Sequence, residues 1–185
     1  MAKYQPAYTM PRAIANPVQL SPREYQHCTV IPLSGAIGAE ITDIDVGFLS
    51  QPAFRELRQA IGDHQVLAIR NQTLTPKTLE AFAERFGPLM KYDFVEPLSE
   101  HQFATEIRSE PADTFNFGGG WHSDSMNYVR PPALTMLYGL EVPKTGGDTA
   151  FSNLHMAWES LSPGLQKMLR PMKQVVATSL TYGSS

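Results

Sequence analysis

A mainly β domain with flanking helices is the fold class this sequence predicts, and three observations predict it. Residues 89–151 run as short apolar stretches cut by Gly, Pro, Asn and Asp, the punctuation of strands and turns. Helical periodicity is confined to short blocks on either side of that region. The composition, 42% apolar and 18% charged over 185 residues, suits one folded domain with a substantial core.

The elements follow in chain order. Residues 1–28 are polar and spaced by Pro6, Pro11, Pro17 and Pro22, which predicts an extended arm. Thr29–Leu33 is a short apolar run that opens the ordered domain, residues 29–185. Gly35 and Gly38 mark tight turns, and Glu40–Val46 alternates as a strand does. Pro52 suits the first turn of a helix, and Phe54, Leu57 and Ile61 share one helical face. His64 closes that helix, where a cation meets the negative end of the helix dipole. Val66–Arg70 reads as a buried strand. Thr75-Pro76 starts the next helix, Thr as N-cap and Pro in the first turn, and Gly87-Pro88 stops it. Asn153–Leu161 and Pro163–Leu169 read as short helices, and Gln174–Thr181 as a strand rich in Val and Thr.

Charge and composition exclude several functions. A net charge of -3 argues against a broad nucleic-acid surface, which needs a basic excess. A single cysteine, Cys28, rules out an intramolecular disulfide framework and a cysteine-cluster metal site, and it has no activating neighbour in sequence. No apolar run approaches the roughly 18 residues of a membrane span. The N-terminus has Lys3 and Arg12 but no apolar stretch of a secretory leader. The cytoplasm is the expected compartment, and His27 and His101 fall in polar stretches where solvation is expected.

The segment that carries chemistry is Phe117-Gly118-Gly119-Gly120-Trp121-His122-Ser123-Asp124. On an extended strand, residues two apart face the same side, so His122 and Asp124 present an imidazole and a carboxylate together. Trp121 and Ser123 then face the other way. The pair supplies two members of the 2-His-1-carboxylate set that holds non-haem Fe(II) and leaves positions open for oxygen and substrate. Three glycines upstream let the backbone bend closely around such a site. They do not form a phosphate cradle, because no helix start follows them. A bare His-x-Asp pair is a weak motif, and a strand-end His paired with an Asp for structural reasons is the plain alternative.

Context adds to the pair. Trp121-His122-Ser123-Asp124, Pro131-Pro132, Glu141-Val142-Pro143 and Gly146-Gly147-Asp148-Thr149 occur in order. Upstream lie Gly38-Ala39-Glu40-Ile41, Val66-Leu67-Ala68-Ile69-Arg70-Asn71-Gln72 and Phe82-Ala83-Glu84-Arg85-Phe86-Gly87. Over roughly residues 30–170 this arrangement closely resembles the taurine dioxygenase / 2,4-dichlorophenoxyacetate dioxygenase family of Fe(II)- and 2-oxoglutarate-dependent oxygenases. The resemblance implies a double-stranded β-helix, or jelly roll, incomplete at its C-terminal end, with helices packed outside. It maps His122 and Asp124 onto the first two iron ligands and Thr149 onto a position that helps hold a carboxylate of 2-oxoglutarate. The implied reaction uses Fe(II), O2 and 2-oxoglutarate to hydroxylate a small, anionic organic molecule, with possible homo-oligomerisation and no nucleic-acid or membrane partner.

Two parts of the family pattern are missing. The distal His ligand and the Arg that pairs with 2-oxoglutarate lie far downstream in the family. His155, the sole later His, falls in a helix expected outside the barrel, and Arg130 and Arg170 are not in that motif. The resemblance therefore implies the N-terminal two-thirds of such an enzyme, with little or no dioxygenase activity as this polypeptide alone. The substrate side is thinner. Tyr92, Phe94 and Asn116 are candidates to line a pocket, while the taurine enzymes' His and Tyr after Phe86-Gly87 are replaced and Gly118 stands where they carry Asn. Taurine itself is therefore not the expected substrate. The alternative is a non-catalytic jelly-roll module that binds a small acid, or a partner-dependent fragment. A zinc hydrolase at the same pair lacks a general base and a third ligand.

Overall fold

Alternation seeds the first sheet: Ala39 and Ile41 are fully buried, and Glu40 and Thr42, which alternate with them, are half-buried. In the computed structural model, residues 24–93, 95–110, 112, 114 and 118–177 are described. They fall into two compact units. One holds the described residues up to Gln72 together with Lys144–Met172, and the other holds Thr73–Pro143 with those from Lys173 on.

In the first unit, β1 (Thr29–Pro32) pairs antiparallel with β2 (Ala39–Thr42) in the register Thr29↔Thr42 to Pro32↔Ala39. The turn between them closes through Leu33 N–H to Gly38 O at 2.9 Å, and Gly38 sits at φ 93°, where a side chain would be strained. β2 also pairs in parallel with β3 (Leu67–Ile69), Ala39↔Leu67 to Ile41↔Ile69. Parallel neighbours need a crossover, and α1 (Gln51–His64) supplies it. Ser50 caps α1 by accepting from Ala53 N–H, and Pro52 lies in its first turn. Ala53, Phe54, Leu57 and Ala60 form its buried face. The expected face is present, widened by two alanines, and Ile61 is half-buried.

The strand expected over Glu40–Val46 ends at Thr42. Asp43 adopts φ 63°, which turns the chain out of the ladder, and Asp45 caps a single 3-10 turn, Val46–Phe48. β3 is half-buried rather than buried. α3 (Leu154–Glu159) and α4 (Pro163–Leu169) begin at Asn153 and Ser162, whose side chains accept from Met156 and Leu165 N–H. Asn153 Nδ2 also donates to Ala36 O at 2.7 Å, fixing the start of α3 to the β1–β2 turn.

Residues 24–28, placed in the arm by the sequence, carry no helix or strand but are tied to α1. Tyr25 donates to Asp63 at 2.9 Å, and Glu56 accepts from Gln26 N–H, His27 N–H and His27 Nδ1 at 2.8–2.9 Å. His27 is thus a hydrogen-bonded tether and not merely a solvated residue. Burial works to raise the Glu56 carboxyl, but the bonds from His27 and Gln26 outweigh it and hold it below its usual value. Cys28 is buried, and burial, aided by the negative charge of Glu56, pushes its thiol up. The remainder of the arm, 1–23, lies outside the described residues.

In the second unit, α2 (Pro76–Glu84) starts with a reciprocal cap: Thr78 N–H donates to Thr75 Oγ1 and Thr75 N–H to Thr78 Oγ1. Phe82 is buried and meets Phe86 edge to face at 5.4 Å. β4 (Pro97–Leu98) and β5 (His101–Thr105) form a short antiparallel pair. Glu80 of α2 accepts from His101 Nδ1 at 2.8 Å and from Phe103 N–H at 3.2 Å, which docks β5 on α2. His101, like His27, therefore has a carboxylate partner, and it is half-buried where His27 stays exposed to solvent as well.

The β content expected over 89–151 is carried by β4 and β5 alone among the described residues. Residues 131–139 still alternate: Pro132, Leu134, Met136 and Tyr138 are half-buried, and Ala133, Thr135, Leu137 and Gly139 are exposed. That is the period of a strand face, but a strand also needs a neighbour to complete its ladder, and the described residues supply none there. The described part of the last expected strand, 174–177, has no regular structure, and 178–181 lie outside the described residues. No helix among the described residues is long and apolar enough to cross a membrane.

Candidate metal centre

The site is built from a loop in the second unit. Gly118 adopts φ 74° and Ser125 φ 52°, so two left-handed residues bracket the segment. Residues 119–123 belong to no helix or strand, and a turn begins at Asp124. This corrects the expectation that His122 and Asp124 ride on a strand. Bracketing turns replace the ladder that would hold a strand straight. The turn closes through Tyr128 N–H to Ser125 O at 3.1 Å.

The juxtaposition expected of the pair is present despite the coil. His122 Nε2 lies 3.1 Å from Asp124 Oδ1. His122 Nδ1 lies 2.7 Å from Gly120 O. A carbonyl oxygen only accepts, so Nδ1 carries the proton and donates. In the neutral ring Nε2 then presents its lone pair toward a carboxylate oxygen. Two electron-rich atoms at that distance require a cation, either a proton on Nε2 or a metal ion bound to both.

The separation admits both: it is that of an ordinary ion pair, and it also fits a shared metal. Bonds of about 2.1 Å meeting at a right angle at a metal ion place two donor atoms about 3.0 Å apart. The Gly120 carbonyl is the usual kind of outer partner, fixing ring orientation and tautomer. Both side chains are about half exposed (53% and 48%), so the face remains open to further ligands. Trp121 is 77% exposed. Among the described residues, no group of three or more His, Cys, Asp or Glu is arranged to hold a metal. His155 is exposed on α3, in the first unit.

The other expected site residues are placed as follows. Thr149 is exposed in the first unit, beyond a turn in which Gly146 and Gly147 adopt φ 82° and 69°. Tyr92 is half-buried in the second unit, beside Asp93. Asn116 and Phe94 lie outside the described residues. Sequence reasoning missed the Gly120 carbonyl, which is invisible because every residue has one. It also missed Tyr128, whose hydroxyl donates to Asp93 Oδ2 at 2.8 Å across 35 residues.

Known proteins resemble this chain over most of its length. The profile described as "Taurine catabolism dioxygenase TauD, TfdA family" matches residues 29–183. An alkylsulfatase from Acinetobacter baylyi is 32% identical over 153 residues, covering 82% of this chain and 47% of that protein. An alpha-ketoglutarate-dependent 2,4-dichlorophenoxyacetate dioxygenase from Cupriavidus pinatubonensis is 30% identical over 160 residues, covering 77% and 55%. The crystal structure of a taurine dioxygenase from Burkholderia xenovorans superposes with a TM-score of 0.69 at 30% identity, covering 79% of this chain and 52% of that one. The chain thus spans about half the length of the relatives it matches.

Proposed function

Because the chain belongs to the taurine catabolism dioxygenase TauD, TfdA family, we propose that it is the ligand-bearing part of an Fe(II)- and 2-oxoglutarate-dependent dioxygenase with a jelly-roll fold. The observation that carries the reading is the His122–Asp124 pair at chelating distance, with the imidazole's other nitrogen already committed to Gly120 O. When bound, the metal with O2 and 2-oxoglutarate supplies the oxidising power to hydroxylate a C–H bond, 2-oxoglutarate leaving as succinate and CO2.

This chain's residues bind and orient. His122 offers Nε2 in a fixed tautomer, and the Asp124 carboxylate offsets part of the metal's charge. Thr149 contributes a hydroxyl donor to one carboxylate of 2-oxoglutarate, in the position the family motif gives it. Tyr92, half-buried in the second unit, lines the substrate. The substrate is a small organic anion: the relatives are named for alkyl sulfates and 2,4-dichlorophenoxyacetate, both anionic at neutral pH. A third metal donor is needed for a stable facial set, and none is arranged beside the pair among the described residues.

The experiment is anaerobic titration of Fe(II) into the 185-residue chain, followed by 2-oxoglutarate and O2 with succinate as readout. Weak Fe(II) binding that requires both His122 and Asp124, with little or no succinate, is expected. Robust turnover by the chain alone overturns the need for further ligands. Binding indifferent to His122→Ala overturns the site. The pair standing without a third donor among the described residues also favours a second reading, a jelly-roll module that binds a small acid without turnover. Binding of 2-oxoglutarate with no contribution from Fe(II) or His122 identifies that module.

A further inference from the structure

The turn that carries Asp124 has a long-range anchor that the proposed reaction does not by itself require. Tyr128 closes the turn by donating its backbone N–H to Ser125 O at 3.1 Å. Ser125, at φ 52°, holds a conformation that an L-residue other than Gly adopts at some cost. The neighbouring segment 119–123 has no ladder or helix to stiffen it. The Tyr128 hydroxyl reaches the Asp93 carboxylate at 2.8 Å, a charge-assisted bond that spans 35 residues within the second unit. Asp93 directly follows Tyr92, the candidate substrate residue.

We propose that Asp93 and Tyr128 form a latch that fixes the metal-holding turn against the loop bearing Tyr92, so that Tyr128 is a positioning residue for His122 and Asp124. The inference rests on the metal reading of that pair. The latch operates at neutral pH because a phenol keeps its proton there, and the hydrogen bond to Asp93, then burial, push its titration higher still. Holding the turn keeps the two donors near 3.1 Å, so less ordering is needed when the ion binds. Because Asp93 is exposed and Tyr128 only half-buried, the effect is modest, about 3- to 10-fold in metal affinity.

The test is calorimetric titration of Co(II) into the 185-residue chain. Tyr128→Phe and Asp93→Ala each weaken binding about 3- to 10-fold, and combining them weakens it no further. Asp93→Asn keeps an acceptor for the phenol and binds within about twofold of the unaltered chain, while thermal midpoints of all variants stay together. The latch is overturned if Tyr128→Phe binds as the unaltered chain does while His122→Ala loses binding. It is equally overturned if Asp93→Asn is as weak as Asp93→Ala, which marks a through-space charge effect. If His122→Ala itself binds normally, the metal reading fails and the latch with it.

Discussion

Leu57→Ala tests whether the α1 face organises the first unit. Leu57 is 1% exposed, and it sits on α1 with Ala53 and Ala60, both small. Ala39, Ile41 and Ala60 are also at 0% exposure. Truncating such a side chain costs the lost transfer free energy plus the cavity it leaves. Flanking alanines have nothing to extend into the gap, and the helix backbone is held by its own hydrogen bonds. The cost therefore falls within the usual range for buried Leu→Ala, at least about 3 kcal/mol. Against a typical stability of about 5–15 kcal/mol this is a large share. With a urea m-value of about 1–3 kcal/mol/M, the midpoint falls by roughly 1–3 M at unchanged slope. Urea denaturation followed by far-UV circular dichroism reads it. A loss below about 1 kcal/mol refutes the packing argument, because a cavity of that size cannot be so cheap.

Three further outcomes follow from tether, thiol and cap. The Glu56 carboxyl is held below the usual 4.5, so its contribution is complete above that value and is lost as pH falls through the lower folded value. Unaltered protein is therefore more stable than Glu56→Gln at neutral pH, and the gap closes as pH falls below the usual carboxylate range; a gap constant with pH in urea unfolding removes the tether argument. Cys28 is buried with a raised thiol, so a thiol-specific chromogenic reagent reacts slowly with folded protein and rapidly in denaturant; equal rates contradict its burial. Thr75→Ala breaks the reciprocal cap of α2 and costs about 1 kcal/mol, measured by the same urea unfolding, and no change contradicts the cap.

Short-range signals were readable from the chain. The Thr75-Pro76 start, the Pro52 first turn and the Ser162-Pro163 opening all correspond to observed helix starts, because a cap and its acceptor lie within one helical turn. Phe54 and Leu57 are buried because a 3.6-residue period is itself local. What the residues concealed was long-range or conformational. His27 and His101 meet Glu56 and Glu80 across 29 and 21 residues, and no local pattern encodes those partners. Asp43 ends β2 through a left-handed backbone that alternation alone does not disclose. The pairing of His122 with Asp124 was legible from their spacing, although turns and not a strand deliver it. The family was legible because several motifs recur in order, whereas the Tyr128–Asp93 contact belongs to no motif.

The central claim is that His122 and Asp124 jointly hold ferrous ion, and iron K-edge X-ray absorption on the anaerobically loaded chain tests it most directly. The account predicts nitrogen and oxygen donors at about 2.1 Å, with an imidazole scattering signature that disappears in His122→Ala. The same spectrum from unaltered chain and His122→Ala contradicts it.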